Sequence, residues 1–255
     1  MYTYEMHCHS SQCSACGRST AQELVQAYYE ARFSGMVLTD HFVTGNNAID
    51  RNLPWQEQME AYYKAYEEAC SAAKALDFDV LFGIEHAYGD GKEVLVYGID
   101  LEFLLRNPDL ADISLDEFVD RVHEVGGIVI QAHPYRDRSY VNMNVEPRKD
   151  IVDGIEVYNS GNLPGEDKKA LALSKEKDYI ITSGGDIHSI NNLKLGSAGV
   201  CFSGRVKNGG REFNISLPPS FTCALFLILL LLLQRFLHLW SNKHQQICPQ
   251  FWCSR

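Results

Sequence analysis

Two histidines, His7 and His9, stand two residues apart near the start of the chain, inside the stretch HCHSSQCSACG that also carries Cys8, Cys13 and Cys16. Thiols and imidazoles this close can form a small zinc knuckle, a C-x-x-C redox pair from Cys13 and Cys16, or one edge of a metal centre completed by distant residues. Further along come Asp40-His41, Glu85, His133 and the pair Asp186 and His188, again two apart. Histidine combined with carboxylate suits Zn, Mn or Fe rather than Ca or an iron–sulfur cluster. On an extended strand alternate side chains share a face, so His7 and His9 can address one cation. Glu85 is the natural bridge, since a carboxylate can hold two cations about 3.5–4 Å apart.

These residues need elements to position them, and the chain alternates helix and strand. Thr20 to Glu23 reads as a capping box opening a helix whose inner face is Leu24, Ala27, Tyr28 and Ala31, with Gly35 as the stop. The apolar run Met36–Leu38 predicts a buried strand ending at Thr39-Asp40-His41. A second helix is predicted over Trp55–Leu76, then strands over Asp79–Glu85 and Glu93–Tyr97. A helix over Leu115–Val125, strands over Ile128–Gln131 and Gly154–Tyr158, a helix near Glu166–Lys177 and a strand over Tyr179–Thr182 complete the pattern. This is an α/β fold with a mainly parallel sheet, open or closed into a barrel. The candidate ligands recur just after the strand runs, and the carboxyl ends of parallel strands are where such folds build their sites.

Composition sets limits. A net charge of -10 over 255 residues argues against a general nucleic-acid or anionic-membrane binder, although bound cations can reverse the sign locally. Eight cysteines are too few for a disulfide scaffold, and the N-terminus shows no basic region followed by an apolar one, so a reducing cytoplasm is the expectation. After about residue 210 the character changes. Phe221–Leu233 is an apolar run of 13 residues, shorter than the ~20 that cross a bilayer. We expect 1–210 to form the catalytic domain and 211–255 to be an atypical tail, read as a non-native reading-frame end. The alternative is a C-terminal anchor, and only that would bring membrane contact.

The ordered motifs H-x-H at His7/His9, T-D-H at Thr39–His41, G-I-E at Gly83–Glu85, A-H-P at Ala132–Pro134, E-V-Y-N at Glu156–Asn159 and G-D-I-H at Gly185–His188 span nearly all of residues 1–205. In this the chain resembles the PHP (polymerase and histidinol phosphatase) metallohydrolases. The resemblance implies a distorted (β/α)7 barrel, two or three divalent metal ions (Mn, Zn or Fe, with Mg possible) and phosphoester hydrolysis by metal-activated water. Carried over by position, His7, His9, Glu85 and Asp186 would hold one metal, Glu85 would bridge to a second shared with His133, and His41 and His188 would serve a third. Asp40 would orient an imidazole from behind, or else cap a helix.

Two positions depart from the family pattern. Cys16 stands where many members have an Asp, and Glu93 where many have a His, so each is a candidate ligand with a plain structural reading beside it. Arg136 and Arg18 are candidates to clamp a substrate phosphate. His86, His123 and Arg138 read as bystanders, and Tyr62, Tyr63 and Tyr66 as helix packing. The expected activity is hydrolysis of a small phosphorylated metabolite or nucleotide, with no extensive nucleic-acid surface. The alternatives are a diesterase or exonuclease on nucleic-acid ends, and a non-catalytic metal-binding module.

Overall fold

The computed structural model describes residues 1–206, so the expectations for the 211–255 tail lie outside the described residues. The elements run β1 (Tyr2–Cys8), α1 (Ala21–Glu30), β2 (Gly35–Leu38), α2 (Trp55–Ala73), β3 (Asp79–Gly89), β4 (Lys92–Tyr97), α3 (Leu101–Arg106), α4 (Leu115–Glu124), β5 (Ile128–Gln131), β6 (Gly154–Asn159), α5 (Pro164–Leu173), β7 (Ile180–Gly184) and β8 (Val200–Phe202). The capping box is formed as expected: Thr20 accepts from Glu23 N, and the Glu23 carboxylate accepts from Thr20 N at 2.7 Å. No helix among the described residues is long and apolar enough to cross a membrane.

The strands form one sheet in the order β7-β6-β5-β4-β3-β2-β1-β8. It curls until its ends meet. The chain leaving β7 returns to β1, where Asp186 N donates to His7 O at 2.7 Å and His9 N donates to Ile187 O at 2.9 Å. The result is a nearly closed α/β barrel of the expected type, with β8 added antiparallel on the other side of β1. The sheet is more mixed than the sequence suggested. β3, β4 and β5 pair antiparallel in succession, and between β3 and β4 the Asp90-Gly91 turn, with both residues at positive φ, reverses the chain. Helix α3 and strand β8 were not anticipated.

Two apolar layers result. The inner one takes residues from strands and none from helices: Tyr4, Met6, Val37, Leu81, Leu95, Tyr97 and Ile130. The outer one packs the other strand faces against Leu24, Tyr28, Met59, Tyr62 and Phe118 of the helices. Each such large side chain, fully buried, contributes roughly 1.5–3 kcal/mol. Tyr62 lies in this layer against Phe42 and Phe82, and the Tyr63 and Tyr66 rings also meet Phe82, so the trio packs the helix as expected.

One irregularity decides what the barrel does. Between Glu5 and Cys8 the pairing of β1 with β2 slips, three steps on β1 opposing two on β2. Such a bulge changes the phase of the side chains. Before it, Met6 faces the inner layer while Glu5 meets Tyr28 of α1; after it, Cys8 joins the outer layer. His7 and His9 are thereby turned inward, above Met6, at the mouth of the barrel.

Candidate metal centre

The strand ends deliver eight side chains to one place. His7 comes from β1 and His9 follows it, His41 follows β2, Glu85 and Glu93 come from the neighbouring strands β3 and β4, His133 follows β5, and Asp186 and His188 follow β7. Glu85 sits at the centre. Its Oε1 lies 3.1 Å from His7 Nε2 and 3.0 Å from His133 Nε2, and its Oε2 lies 2.9 Å from His41 Nδ1 and 3.4 Å from His9 Nε2. Asp186 Oδ1 is 3.1 Å from His9 Nε2 and 3.7 Å from His7 Nε2. Glu93 reaches the same space, 3.4 Å from His41 Nδ1 and 3.5 Å from His133 Nε2. His188 stacks on His9 with ring centres 4.2 Å apart.

The backs of the rings are held. His7 Nδ1 is 2.9 Å from Glu156 Oε1, and the other Glu156 oxygen accepts from His133 N at 2.9 Å. His9 Nδ1 is 3.2 Å from Ser14 Oγ, whose own proton goes to Asp40 Oδ1 at 2.7 Å. Since that hydroxyl has one proton to give, His9 must donate from Nδ1, which leaves Nε2 as a lone pair facing inward. Asp40 therefore orients an imidazole at one remove; it also accepts from Ser10 N and Ser10 Oγ, both at 2.6 Å, and caps no helix.

The charges fit cations. Among the described residues six buried side-chain atoms have no hydrogen-bond partner, and four of them, His7 Nε2, His9 Nε2, His41 Nδ1 and Glu85 Oε2, lie in this cluster. Buried polar atoms are rarely left so, and four in one cluster mark a missing partner that accepts lone pairs. Ligand atoms fall within 4.8 Å of one another in overlapping triads: His7, His9 and Glu85; His7, His133 and Asp186; His41, Glu85 and Glu93; His9, His41 and His188. Burial opposes a charge on His7, but Glu85, Glu156 and Asp186 outweigh it and hold its pKa well above the usual value. Burial, with His188 and His41 adding to it, drives His9 the other way. Against burial, His7, His41 and His133 hold Glu85 well below the carboxylate range, and His7 and Arg136 do the same for Asp186. A divalent cation at this point would balance the same carboxylates. Residues of this kind fit zinc, manganese or iron.

Backbone strain is concentrated here too. His133 and Asp186 both have positive φ, 24° and 51°, which is costly for residues other than glycine. The close approach of β7 requires Gly184: a Cβ there would lie 2.3 Å from the His7 Cβ.

The remaining sequence candidates fall as follows. The half-buried Cys16 thiol bonds His188 and His41; burial raises its pKa, but these two bonds prevail and bring it down to about 6. Cys8 and Cys13 are buried, bonding Val37 O and Tyr62 O. The Arg136 guanidinium is committed inward, to Asp186 Oδ2 at 2.7 Å, Asn159 Oδ1 at 2.8 Å and Asn162 Oδ1 at 3.0 Å. Arg18 is exposed, on a loop whose backbone N donates to His188 O at 2.6 Å. His123 pairs with Asp153 at 2.9 Å and Arg138 with Glu166 at 2.9 Å, both outside the cluster, while His86 lies on the outer face of β3.

Sequence reasoning assigned no role to Glu156, although it opens the E-V-Y-N motif, and none to Ser14 or Glu5. Glu156 is a carboxylate inside an apolar strand run, and that signal was available. Ser14 has none. Glu5 ties β1 to the chain after β7, accepting from Gly185 N at 2.6 Å and Tyr28 OH at 2.7 Å; burial nonetheless lifts it to about 7.

Known proteins share this architecture. The barrel superposes on a provisionally named metal-dependent phosphoesterase from Bifidobacterium adolescentis with a TM-score of 0.54 at 18% identity, covering 74% of this chain and 89% of that one. It also superposes on a two-domain protein from Bacteroides vulgatus containing a predicted PHP-like metal-dependent phosphoesterase, with a TM-score of 0.56 at 16% identity over 73% of this chain and 52% of that one. At these identities the likeness is one of fold. In sequence, the chain is 32% identical over 127 residues to the uncharacterized protein MJ0417 of Methanocaldococcus jannaschii, a match to 47% of this chain that spans about half (49%) of that relative. The PHP domain family's sequence pattern matches residues 5–183, from β1 with its paired histidines into β7, and the chain belongs to the PHP domain family.

Proposed function

We propose that the protein is a metal-dependent phosphoesterase that hydrolyses phosphomonoesters of a small metabolite or nucleotide. The observation that carries this reading is the convergence of four unpartnered buried donor atoms on one carboxylate-rich mouth. His7, His9, Glu85 and Asp186 would hold one cation, Glu85 and His133 with Glu93 a second, and His41 and His188 with Cys16 a third. Divalent cations there would acidify water and neutralise the non-bridging oxygens of a phosphoryl group.

The chain's own groups prepare that site. Glu156 keeps a proton on His7 Nδ1, and Ser14 with Asp40 keeps one on His9 Nδ1, so both rings present Nε2. Arg136 fixes Asp186 rather than reaching for substrate, and exposed Arg18 is left to meet the substrate phosphate. The net charge of -10 favours a small substrate over a long polyanion. All five described cysteines are free, in keeping with a reducing cytoplasm. We assign the catalysis to residues 1–210 and none of it to 211–255.

The test is metal analysis of the purified protein, then hydrolysis of p-nitrophenyl phosphate against bis(p-nitrophenyl) phosphate with Mn²⁺. The monoester should be preferred, and Glu85→Gln should abolish turnover. Preference for the diester would replace the monoesterase reading. Bound metal without hydrolysis of either ester would end the enzymatic one.

A further inference from the structure

Outside the barrel, on the other side of the β3 backbone from Glu85, lies a cavity of about 620 Å³. It is walled by the end of β3, the loop after β2, the start of α2 and the connection from α3 to α4, and its volume is within the range of pockets that hold small organic ligands. Nothing in the hydrolytic reading uses it.

Its walls are built rather than loose. The Trp55 indole donates to Leu104 O at 2.7 Å and meets Phe42 edge-on, which fixes a flat, half-buried aromatic surface. His86, only 3% exposed, lies flat on Phe118 with ring centres 4.0 Å apart. Its Nδ1 bonds Thr44 Oγ1 at 3.1 Å, and its Nε2 makes no hydrogen bond among the described residues. Gln58 spends its amide hydrogens on Leu53 O and Arg51 O, leaving Oε1 as an acceptor. Arg51 and Asp112 add one charge of each sign to the lining, so the cavity as a whole does not select a strong anion or cation. Flat aromatic surfaces combined with separate hydrogen-bonding groups match a neutral planar heterocycle.

The cavity and the cluster share their backbone. Successive residues of β3 point to opposite sides, Glu85 to the cluster and His86 to the cavity. The loop after β2 does likewise, His41 facing Glu85 and Thr44 bonding His86. The two segments are joined by Phe42 N to Glu85 O at 2.8 Å, Glu85 N to Asp40 O at 3.0 Å and Ala87 N to Thr44 Oγ1 at 3.2 Å. Whatever seats against Thr44 and His86 bears on the residues that carry His41 and Glu85.

We infer that this cavity is a second ligand site, for a neutral planar nitrogen heterocycle of nucleoside size, and that its occupancy alters metal affinity through β3 and the loop after β2. Binding itself does not rest on the hydrolase reading; the coupling rests on cations being held at His41 and Glu85. Coupling of this kind is reciprocal: a ligand that changes metal affinity by some factor has its own affinity changed equally.

Adenosine, guanosine, cytidine and uridine, which carry no phosphate to hydrolyse, are the probes. Full-length protein is titrated calorimetrically with each, both chelator-treated and Mn²⁺-loaded. One nucleoside should bind with unit stoichiometry in both states, with affinities differing about fivefold. Trp55→Ala and Ala111→Trp, the latter filling the cavity from the α3–α4 connection, should each weaken binding about tenfold or more while leaving Mn²⁺ content unchanged. No binding of any nucleoside to the wild type, or binding unaffected by both variants, overturns the site. Equal affinity with and without Mn²⁺ overturns the coupling. Protein that hydrolyses p-nitrophenyl phosphate but binds no nucleoside would sink this inference alone.

Discussion

His7 Nδ1 lies 2.9 Å from Oε1 of Glu156, a residue 149 positions away, and both side chains are fully buried. A carboxylate behind an imidazole fixes which nitrogen is protonated and makes the other a better ligand. Glu156→Gln preserves the shape and removes the charge. Metal affinity, followed by titration with Mn²⁺ or Zn²⁺, should fall about 10- to 100-fold with the circular dichroism spectrum unchanged. Unaltered affinity would show that Glu156 plays no part in the ligand set.

Removing His7 itself acts more directly. His7→Ala should lower both metal content and phosphatase activity, and full metal occupancy in that variant would refute its assignment as a ligand. Chelation of the wild type should lower the melting temperature. Metal at about 100 times its Kd stabilises by about 2.7 kcal/mol, which for a domain of this size is roughly 5–10 °C. His7→Ala should lose most of that metal-dependent shift.

Gly184 is the tightest packing point of the site. An added methyl would lie 2.3 Å from the His7 Cβ and 2.8 Å from Glu156 Oε1, so Gly184→Ala must displace one of them. We expect metal binding to fall by at least about tenfold, the lower bound for disturbing a ligand's support. A crystal structure should show β7 or His7 shifted. Wild-type metal affinity would mean that neither side chain bears on the cations.

Cys16 offers a chemical probe of the third position. With its thiol lowered to about 6 by His188 and His41, and only half buried, it should be alkylated by iodoacetamide at neutral pH in metal-free protein. Cys8 and Cys13, fully buried, should stay unmodified. If Cys16 binds a cation, Zn²⁺ or Mn²⁺ should protect it, as peptide mass spectrometry would reveal. Identical alkylation with and without metal would return it to a structural role.

Alkaline stability follows from the tyrosines. Burial raises Tyr63 and Tyr88 to about 12, and raises Tyr28, Tyr62 and Tyr97 well above the ordinary value. Above pH ~10 the unfolded chain loses phenolic protons that the folded chain retains, so stability is full below that pH and declines as pH rises toward 12. Denaturant midpoints should drop steadily above pH ~10, with the tyrosinate absorbance of these five rings appearing together with unfolding. Free titration of Tyr28, Tyr62 or Tyr97 near pH 10 in folded protein would contradict the burial.

How far this was legible in the chain depends on which contacts set each feature. The strands ending in Leu38 and Gln131 announce themselves as apolar runs with polar residues beyond, because burial on both faces leaves a local signature. So does the helix after Thr20. The bulge between Glu5 and Cys8 has no such signature: it exists only in the pairing with β2, and simple alternation would set His7 opposite Met6 instead of beside it. Ser14 is one serine among several in its loop, and its place behind His9 comes from a fold-back that brings it against Asp40. Arg136 could be placed near the ligands from its position after His133, but its direction was set by Asn159, Asn162 and Asp186, which come later in the chain. The Asp90-Gly91 turn was visible in the sequence, and giving it more weight would have predicted the antiparallel β3–β4 pair.

The return of the chain from β7 to β1 carries a consequence for biosynthesis. The donors of the cluster are spread from His7 to His188, and of the contacts that gather them the seam joining Asp186 and Ile187 to His7 and His9 is the last to become available as the chain leaves the ribosome. A nascent chain holding only the first six strands displays histidines and carboxylates without the residues that gather them. The metal centre is thus a test of completion: it can be assembled only on a barrel whose end has found its beginning.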